Sequence, residues 1–273
     1  INLTDFWKYD RFYNTGSNAR SDTKGFWCGN IKAGINYNFD AHNNAFFNIG
    51  YNSKAPQFKS GVFMSATSSN VTNDRVKNEK SFSTELGYSF HNRWLVFKAN
   101  AYYTKWLDKS MTKKGKITEQ YYINMTGVHS KHMGLEFELR ATPVHWVEAG
   151  AMLSLGNWKW DSDNVKGYAY TLSGQAVTPD GGITTPGAPN HAYATINMKG
   201  IHIGGSAQTT AAIDVTFKPF TGFRIGGGFT HYSRNYAYYS LSGSSLKLGK
   251  EMNVVEPWKI PSYGCFDLWS SYK

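Results

Sequence analysis

From 30 to 39 the chain reads N-I-K-A-G-I-N-Y-N-F, and its apolar residues fall on one parity. Ile31, Ala33, Ile35, Tyr37 and Phe39 alternate with Asn30, Lys32, Gly34, Asn36 and Asn38. On a helix this apolar set would scatter around the whole circumference, whereas on a strand it makes one face. The same period of two returns after each turn signal, through 45–51, 82–90, 95–103, 133–141, 147–155, 211–217 and 223–229, with a last strand at 263–272. No charge lies on the apolar parity of the runs before that last strand.

The connections alternate in kind. Short turns fall at 40–44, 91–93, 142–145 and 219–222, and long polar stretches at about 53–78, 108–118, 158–204 and 233–261. Strands joined in turn by tight turns and long loops form an antiparallel up-and-down meander with every long loop at one edge, as in transmembrane β-barrels. A soluble sandwich alternates in the same way. Strands of ten residues or more instead match the roughly 9 to 11 that a tilted bilayer crossing requires. Trp94 and Trp146 follow short turns, and Trp106 and Trp158 close the same strands. At about 3.3 Å rise and roughly 45° tilt, the dozen residues from Trp94 to Trp106 span about 28 Å, which places tryptophans at both membrane interfaces.

Composition narrows the alternatives. No apolar run approaches the length of a membrane helix, two cysteines cannot form a disulfide scaffold, and 16% aromatic content argues against disorder. The expected crossings are 2–14, 26–39, 45–52, 80–90, 94–106, 119–141, 146–158, 205–218, 222–232 and 262–272. The sixth carries an irregularity near 127–131, and 167–173 with 191–198 could form an extra hairpin above the membrane. The chain starts without a basic-then-apolar leader and ends on Ser271-Tyr272-Lys273, so the whole of 1–273 is expected to be one partial barrel domain from a mature or partial chain.

Particular words match a family. They are G-Y-N-S-K-A-P-Q-F at 50–58, N-E-K-S-F-S-T-E-L-G-Y at 78–88 and N-A-Y-Y-T-K-W-L-D-K at 100–109. Gly127-Val128 with G-L-E-F-E at 134–138, A-Q-T-T-A at 207–211 and W-K-I-P-S-Y at 258–263 follow in the same order. Over nearly its whole length the chain resembles the barrel half of TonB-dependent outer-membrane receptors. The resemblance implies about ten strands, roughly the eleventh to the twentieth, of a barrel of about 22 strands closed around a plug. It implies energised import of a scarce ligand, such as an iron chelate, haem, cobalamin or a glycan, across the outer membrane of a Gram-negative bacterium. The implied partners are the TonB complex, through an N-terminal region absent from this sequence, and the receptor's own plug. Neither enzymatic activity nor a cofactor is expected. The alternatives are a passive porin and a self-contained ten-stranded barrel enzyme, for which no paired Asp/His or Ser/His set stands out by spacing.

Candidate site residues divide by parity. Lys32, Glu85, Lys98, Glu136, Glu138, Arg140, Glu148, Asp214, Arg224 and Asp267 share the polar parity and are expected to face the lumen, hydrating it and bonding to the plug. A lipid-facing Lys or Arg would cost about 2 to 4 kcal/mol at the bilayer midplane. Ligand contacts are expected from loop aromatics, namely Trp158, Trp160, Tyr168 and Tyr170 near Asp161 and Asp163, and His231, Tyr232, Tyr236, Tyr238 and Tyr239. Such rings stack on a sugar, corrin or chelate, although an interfacial belt is the plainer reading. His129 and His132 lie three apart and so on opposite strand faces, which removes them as a metal pair. Ile225-Gly226-Gly227-Gly228 lacks the features of a phosphate loop and reads as a bulge or a close backbone approach. Cys28 and Cys265 are expected as free thiols. Lys105, Lys109, Lys113, Lys114 and Lys116 suit anionic lipopolysaccharide better than nucleic acid.

Overall fold

The computed structural model describes residues 1–9, 16–63, 70–116, 120–238 and 248–273. Tyr239 and the 10–14 part of the first expected crossing lie outside these residues, as do the side chains of Lys113, Lys114 and Lys116. Sixteen strands are described: β1 (Asn2–Phe6), β2 (Lys24–Asn38), β3 (Asn43–Lys54), β4 (Glu79–His91), β5 (Leu95–Lys116), β6 (Gln120–Val144), β7 (Val147–Trp160), β8 (Val165–Thr171), β9 (Ala176–Val177), β10 (Ile183–Thr184), β11 (Tyr193–Asn197), β12 (Ala207–Phe217), β13 (Phe223–Tyr236), β14 (Glu251–Asn253), β15 (Lys259–Ile260) and β16 (Tyr263–Tyr272).

Ten of them form a curtain in the order β1-β2-β3-β4-β5-β6-β7-β12-β13-β16, each antiparallel to the next. Register follows the sequence alternation. Ile35, Phe47, Leu86, Ala101, Leu135 and Leu155 stand opposite one another in one row, and Asn36, Phe46, Gly87, Asn100, Glu136 and Ser154 in the next. The first row faces outward and is bare, Ile35 being 68% and Leu86 58% exposed. Exposed apolar surface on this scale is foreign to a soluble sandwich, whose apolar face is covered by a second sheet, and belongs in hydrocarbon. Among the described residues two edges stay open: β16 pairs only with β13, and residues 29–38 of β2 pair only with β3.

The short turns are built by local side chains. Asp40 accepts the His42 and Asn43 backbone N–H groups at 2.6 and 2.8 Å, and these bonds hold its carboxyl below the usual range. Asn92 does the same for Trp94 and Leu95 at 3.0 and 2.8 Å. At the opposite end the expected loop at 108–118 is a correction: β5 and β6 continue as one hairpin far beyond the bilayer. Pairing slips between Trp106 and Lys109 and again before Met111, where Asp108 and Gly127 take positive φ of 58° and 78°, then resumes from Met111 opposite Met125 to Lys116 opposite Gln120. The polar composition suggested a loop, but backbone pairing with β6 holds the chain extended as far as Lys116, and 117–118 lie outside the described residues.

The hydrophobic core lies in this outer extension. Residues 121–125 of β6 pair with β8, β8 pairs with β11, and β14 adds to β11 in parallel. Ile123, Met125, Val128, Ala169, Ala194, Ile196 and Met198 are fully or almost fully buried there. The expected hairpin of 167–173 with 191–198 is therefore present as the centre of a small cap.

Candidate functional site

The polar parity forms the inner face of the curtain, and its charges are knit across strands. Near the short turns Glu148 binds both Lys218 and Arg224. Farther up, Arg140 Nη1 lies 3.0 Å from Asp214 and its Nε 3.8 Å from Glu138, which in turn pairs with Lys98 at 3.4 Å. Asn100 donates to Glu85 at 2.7 Å and to Glu136 at 3.4 Å, and Asn48 reaches Glu85 at 3.4 Å. Lys32, Glu85, Asn100, Tyr102 and Glu136 line one concavity of about 660 Å³. Among the described residues no carboxylate lies within ion-pair distance of Lys32.

Above this ladder the inner face turns aromatic. Trp158 Nε1 donates to the Tyr102 hydroxyl at 2.9 Å, and the His132 ring lies 5.8 Å from the indole. Lys54 and Lys109 hold their ammonium groups 5.8 and 5.6 Å from the Trp106 ring, and Lys109 is also 5.9 Å from Trp160. Cations over indole faces are attracted by the ring quadrupole. Trp106 and Trp158 were expected in the outer interfacial belt; both stand on the inner parity instead. Trp94 lies in the turn before β5, so strand alternation does not set its direction, and the spacing that matched the bilayer carried no information about side.

The remaining aromatics separate. Tyr168 carries the Arg75 guanidinium 3.4 Å from its centroid and lies 4.9 Å from the His191 ring. Tyr170 is 1% exposed, packed edge-on against His191 inside the cap, and burial pushes its phenol up. Tyr236 stacks on His202 at 4.2 Å, and His202 is hydrogen-bonded to Glu256. His231 takes the outward parity of β13, between Ala211 and Gly264. Trp158 and Trp160 thus share the inner wall, Tyr168 and Tyr170 the cap, and Tyr236 the rim. Tyr102 was legible as an inner residue from parity alone; nothing local in the sequence brings Arg75 to Tyr168 or Glu256 to His202.

The triple glycine makes a close approach and no bulge: β13 keeps regular register with β12 and β16, and a Cβ on Gly226 would lie 2.6 Å from the Trp269 ring. Cys28 and Cys265 are free thiols.

Comparison with known proteins agrees with this architecture. A family model described as TonB dependent receptor-like, beta-barrel matches residues 4–273. No curated protein matches the sequence. Similar solved structures include the "Copper transporter OprC" at 13% identity and a TM-score of 0.57, with 92% of this chain and 32% of that chain covered. The FrpB iron transporter from Neisseria meningitidis (F3-3 variant) is 11% identical, with a TM-score of 0.53 over the same shares. The ferric-catecholate import receptor Fiu from E. coli K12 is 13% identical, with a TM-score of 0.53, 97% of this chain and 32% of that chain. The chain spans about a third of the length of each of these structures. The family is non-enzymatic and resides in the outer membrane, and the structure agrees with an all-β antiparallel sheet forming part of such a barrel. The chain belongs to the TonB-dependent receptor-like β-barrel family.

Proposed function

We propose that this chain is a wall segment of a receptor that imports a scarce, anionic metal chelate with energy coupled through TonB. The observation that carries this reading is the mouth of the inner face, where Lys109 stands over Trp106 and Trp160, and Lys54, itself paired with Glu79 at 3.0 Å, stands over Trp106, above a wall of paired charges. Indole faces offer stacking area to a flat organic ligand, and the Lys109 ammonium, which no described carboxylate pairs, offers counter-charge to its acidic oxygens. The named cargoes of the similar structures, copper and iron, support a metal-bearing ligand for this one. The paired charges of the lower wall then hydrate the lumen and bond to a plug.

The two open edges support the same assembly. An unpaired backbone group in hydrocarbon costs several kcal/mol, so further strands of the receptor pair with β2 and β16 and close the cylinder. Contact with TonB is assigned to the part of the receptor outside this third.

Uptake measured in a deletion strain complemented with the complete receptor tests the proposal. Labelled ferric chelates are offered against competing haem, cobalamin and oligosaccharides, with and without TonB. Chelate uptake that needs both proteins is the expected result. Uptake indifferent to TonB would favour a porin, and a strain whose import of every ligand is unchanged by the deletion would sink the importer reading.

A further inference from the structure

Three lysines stand side by side where the outward face stops being apolar. Lys105 of β5 is opposite Lys131 of β6, which is opposite Lys159 of β7. Each continues the outward parity of its strand, directly above Tyr103, Met133 and Asn157. Lys105 lies ten residues beyond Leu95, the first residue of β5. At about 3.3 Å per residue and roughly 40° tilt that is about 25 Å, the height of the apolar band of an outer-membrane barrel. The row therefore stands at the level of the outer-leaflet headgroups.

Like charges opposite one another on neighbouring strands repel. Among the described residues a single carboxylate intervenes, Asp161, 3.3 Å from Lys105 and 4.0 Å from Lys131. No described carboxylate lies within ion-pair distance of Lys159, and Glu256 beyond it is engaged by His202. The Lys105 and Lys131 side chains remain 39% and 34% exposed. Lys109 takes no part, since it turns to the inner face onto Trp106 and Trp160.

We propose that this row binds the phosphate of a phosphorylated lipid headgroup in the outer leaflet, an inference that rests on the outer-membrane reading of the barrel. A phosphate bridging Lys131 and Lys159 supplies the negative charge that the row lacks. The outward side chains below it, Met133, Leu135 and Leu155, present apolar surface to the acyl chains of the same molecule. A free anion would use the first feature only, and this continuity selects a lipid over dissolved phosphate.

The test uses the complete receptor, purified in neutral detergent and probed with bis-phosphorylated lipid A, the same lipid dephosphorylated, and inorganic phosphate. Native mass spectrometry should show the phosphorylated lipid retained at least tenfold better than the dephosphorylated one, with no competition from millimolar phosphate. K105Q/K131Q/K159Q should abolish the preference, K159Q alone should weaken it, and Asp161→Asn should strengthen it. That opposite sign guards against a merely unfolded variant. K199Q, in the cap, should change nothing. Equal retention by the triple variant, equal binding of the dephosphorylated lipid, or displacement by inorganic phosphate would each overturn the proposal. A protein that forms no heat-modifiable barrel at all would instead refute the outer-membrane reading beneath it.

Discussion

Arg140 and Asp214 meet across an entire strand. Their Cα positions lie on β6 and β12, with Gly150 of β7 standing between them in the same row, and the guanidinium passes over that glycine to reach the carboxylate at 3.0 and 3.2 Å. A Cβ at 150 would collide with both partners. The pair holds three strands in one register, and a glycine in the middle strand is its condition.

Gly150→Val should therefore break the pair in addition to overpacking the row. Both side chains are substantially exposed, at 59% and 34%, so the ion pair itself contributes about 0.2 to 1 kcal/mol. Thermal melting of the complete receptor should show a larger loss for G150V than for D214N. The G150V loss should shrink when D214N is already present; full additivity of the two would mean that they do not communicate.

The cap should loosen on acidification. His191 is 3% exposed, its Nε2 donates to the Ala169 carbonyl at 3.0 Å, and its Nδ1 accepts from Gly187 N–H at 3.2 Å, an arrangement suited to the neutral ring. Burial holds its pKa below the ordinary 6.5, Arg75 adds to the effect, and the bond to Ala169 opposes it. The unfolded segment thus takes up a proton before the folded one does. The contribution of His191 is complete above about pH 6.5 and is lost as the pH falls from there toward the folded value. Protection factors of 165–198, which take out the pH dependence of the intrinsic exchange rate, should fall between pH 7.5 and 5.5, and His191→Gln should flatten that dependence. Greater protection at the lower pH would contradict the assignment.

Tyr168 and Tyr170 should answer differently to truncation. Removing a buried ring of this size costs about 3 to 5 kcal/mol, so Tyr170→Ala should collapse the cap and expose 165–198 to protease. Tyr168 is partly exposed beneath Arg75, and Tyr168→Ala should leave the cap protease-resistant while altering ligand affinity. Identical proteolysis of the two variants would remove the distinction.

Labelling should read the two faces directly. With Cys28 and Cys265 replaced, cysteines at Ile35, Leu86 and Leu153 should resist a membrane-impermeant maleimide and respond to lipid-borne quenchers. Cysteines at Asn48, Asn100 and Ser154 should behave oppositely. A reversed pattern would invert the curtain and every argument built on it.

Strand alternation made the curtain legible, because Ile31 through Phe39 and Leu95 through Tyr103 permit one buried parity and no other period. The inner ladder followed from the same rule, since Glu85, Lys98, Glu138 and Arg140 all fall on the complementary parity. Hairpin β8–β11 was also visible as two apolar-aromatic runs. What the sequence could not disclose depends on long-range folding. Tyr170 reads as a surface ring until residues 165–171 fold back on 121–125 and enclose it. Trp106 and Trp158 are a different case: the sequence already places them on the parity of Lys98 and Glu148, and their spacing, which fits the height of an interface, drew the reading away from the inward direction that parity gives.

The outward continuation of β5 and β6 has a mechanical consequence. The cap does not hang from a slack tether; it rides on two backbones that run without a break from inside the bilayer to its own core. The paired irregularity at Asp108 and Gly127 lies between those two regions and is, among the described residues, the elbow of this hairpin. A force on the cap accordingly loads the barrel wall through a stiff ribbon, and that elbow is where the ribbon can bend.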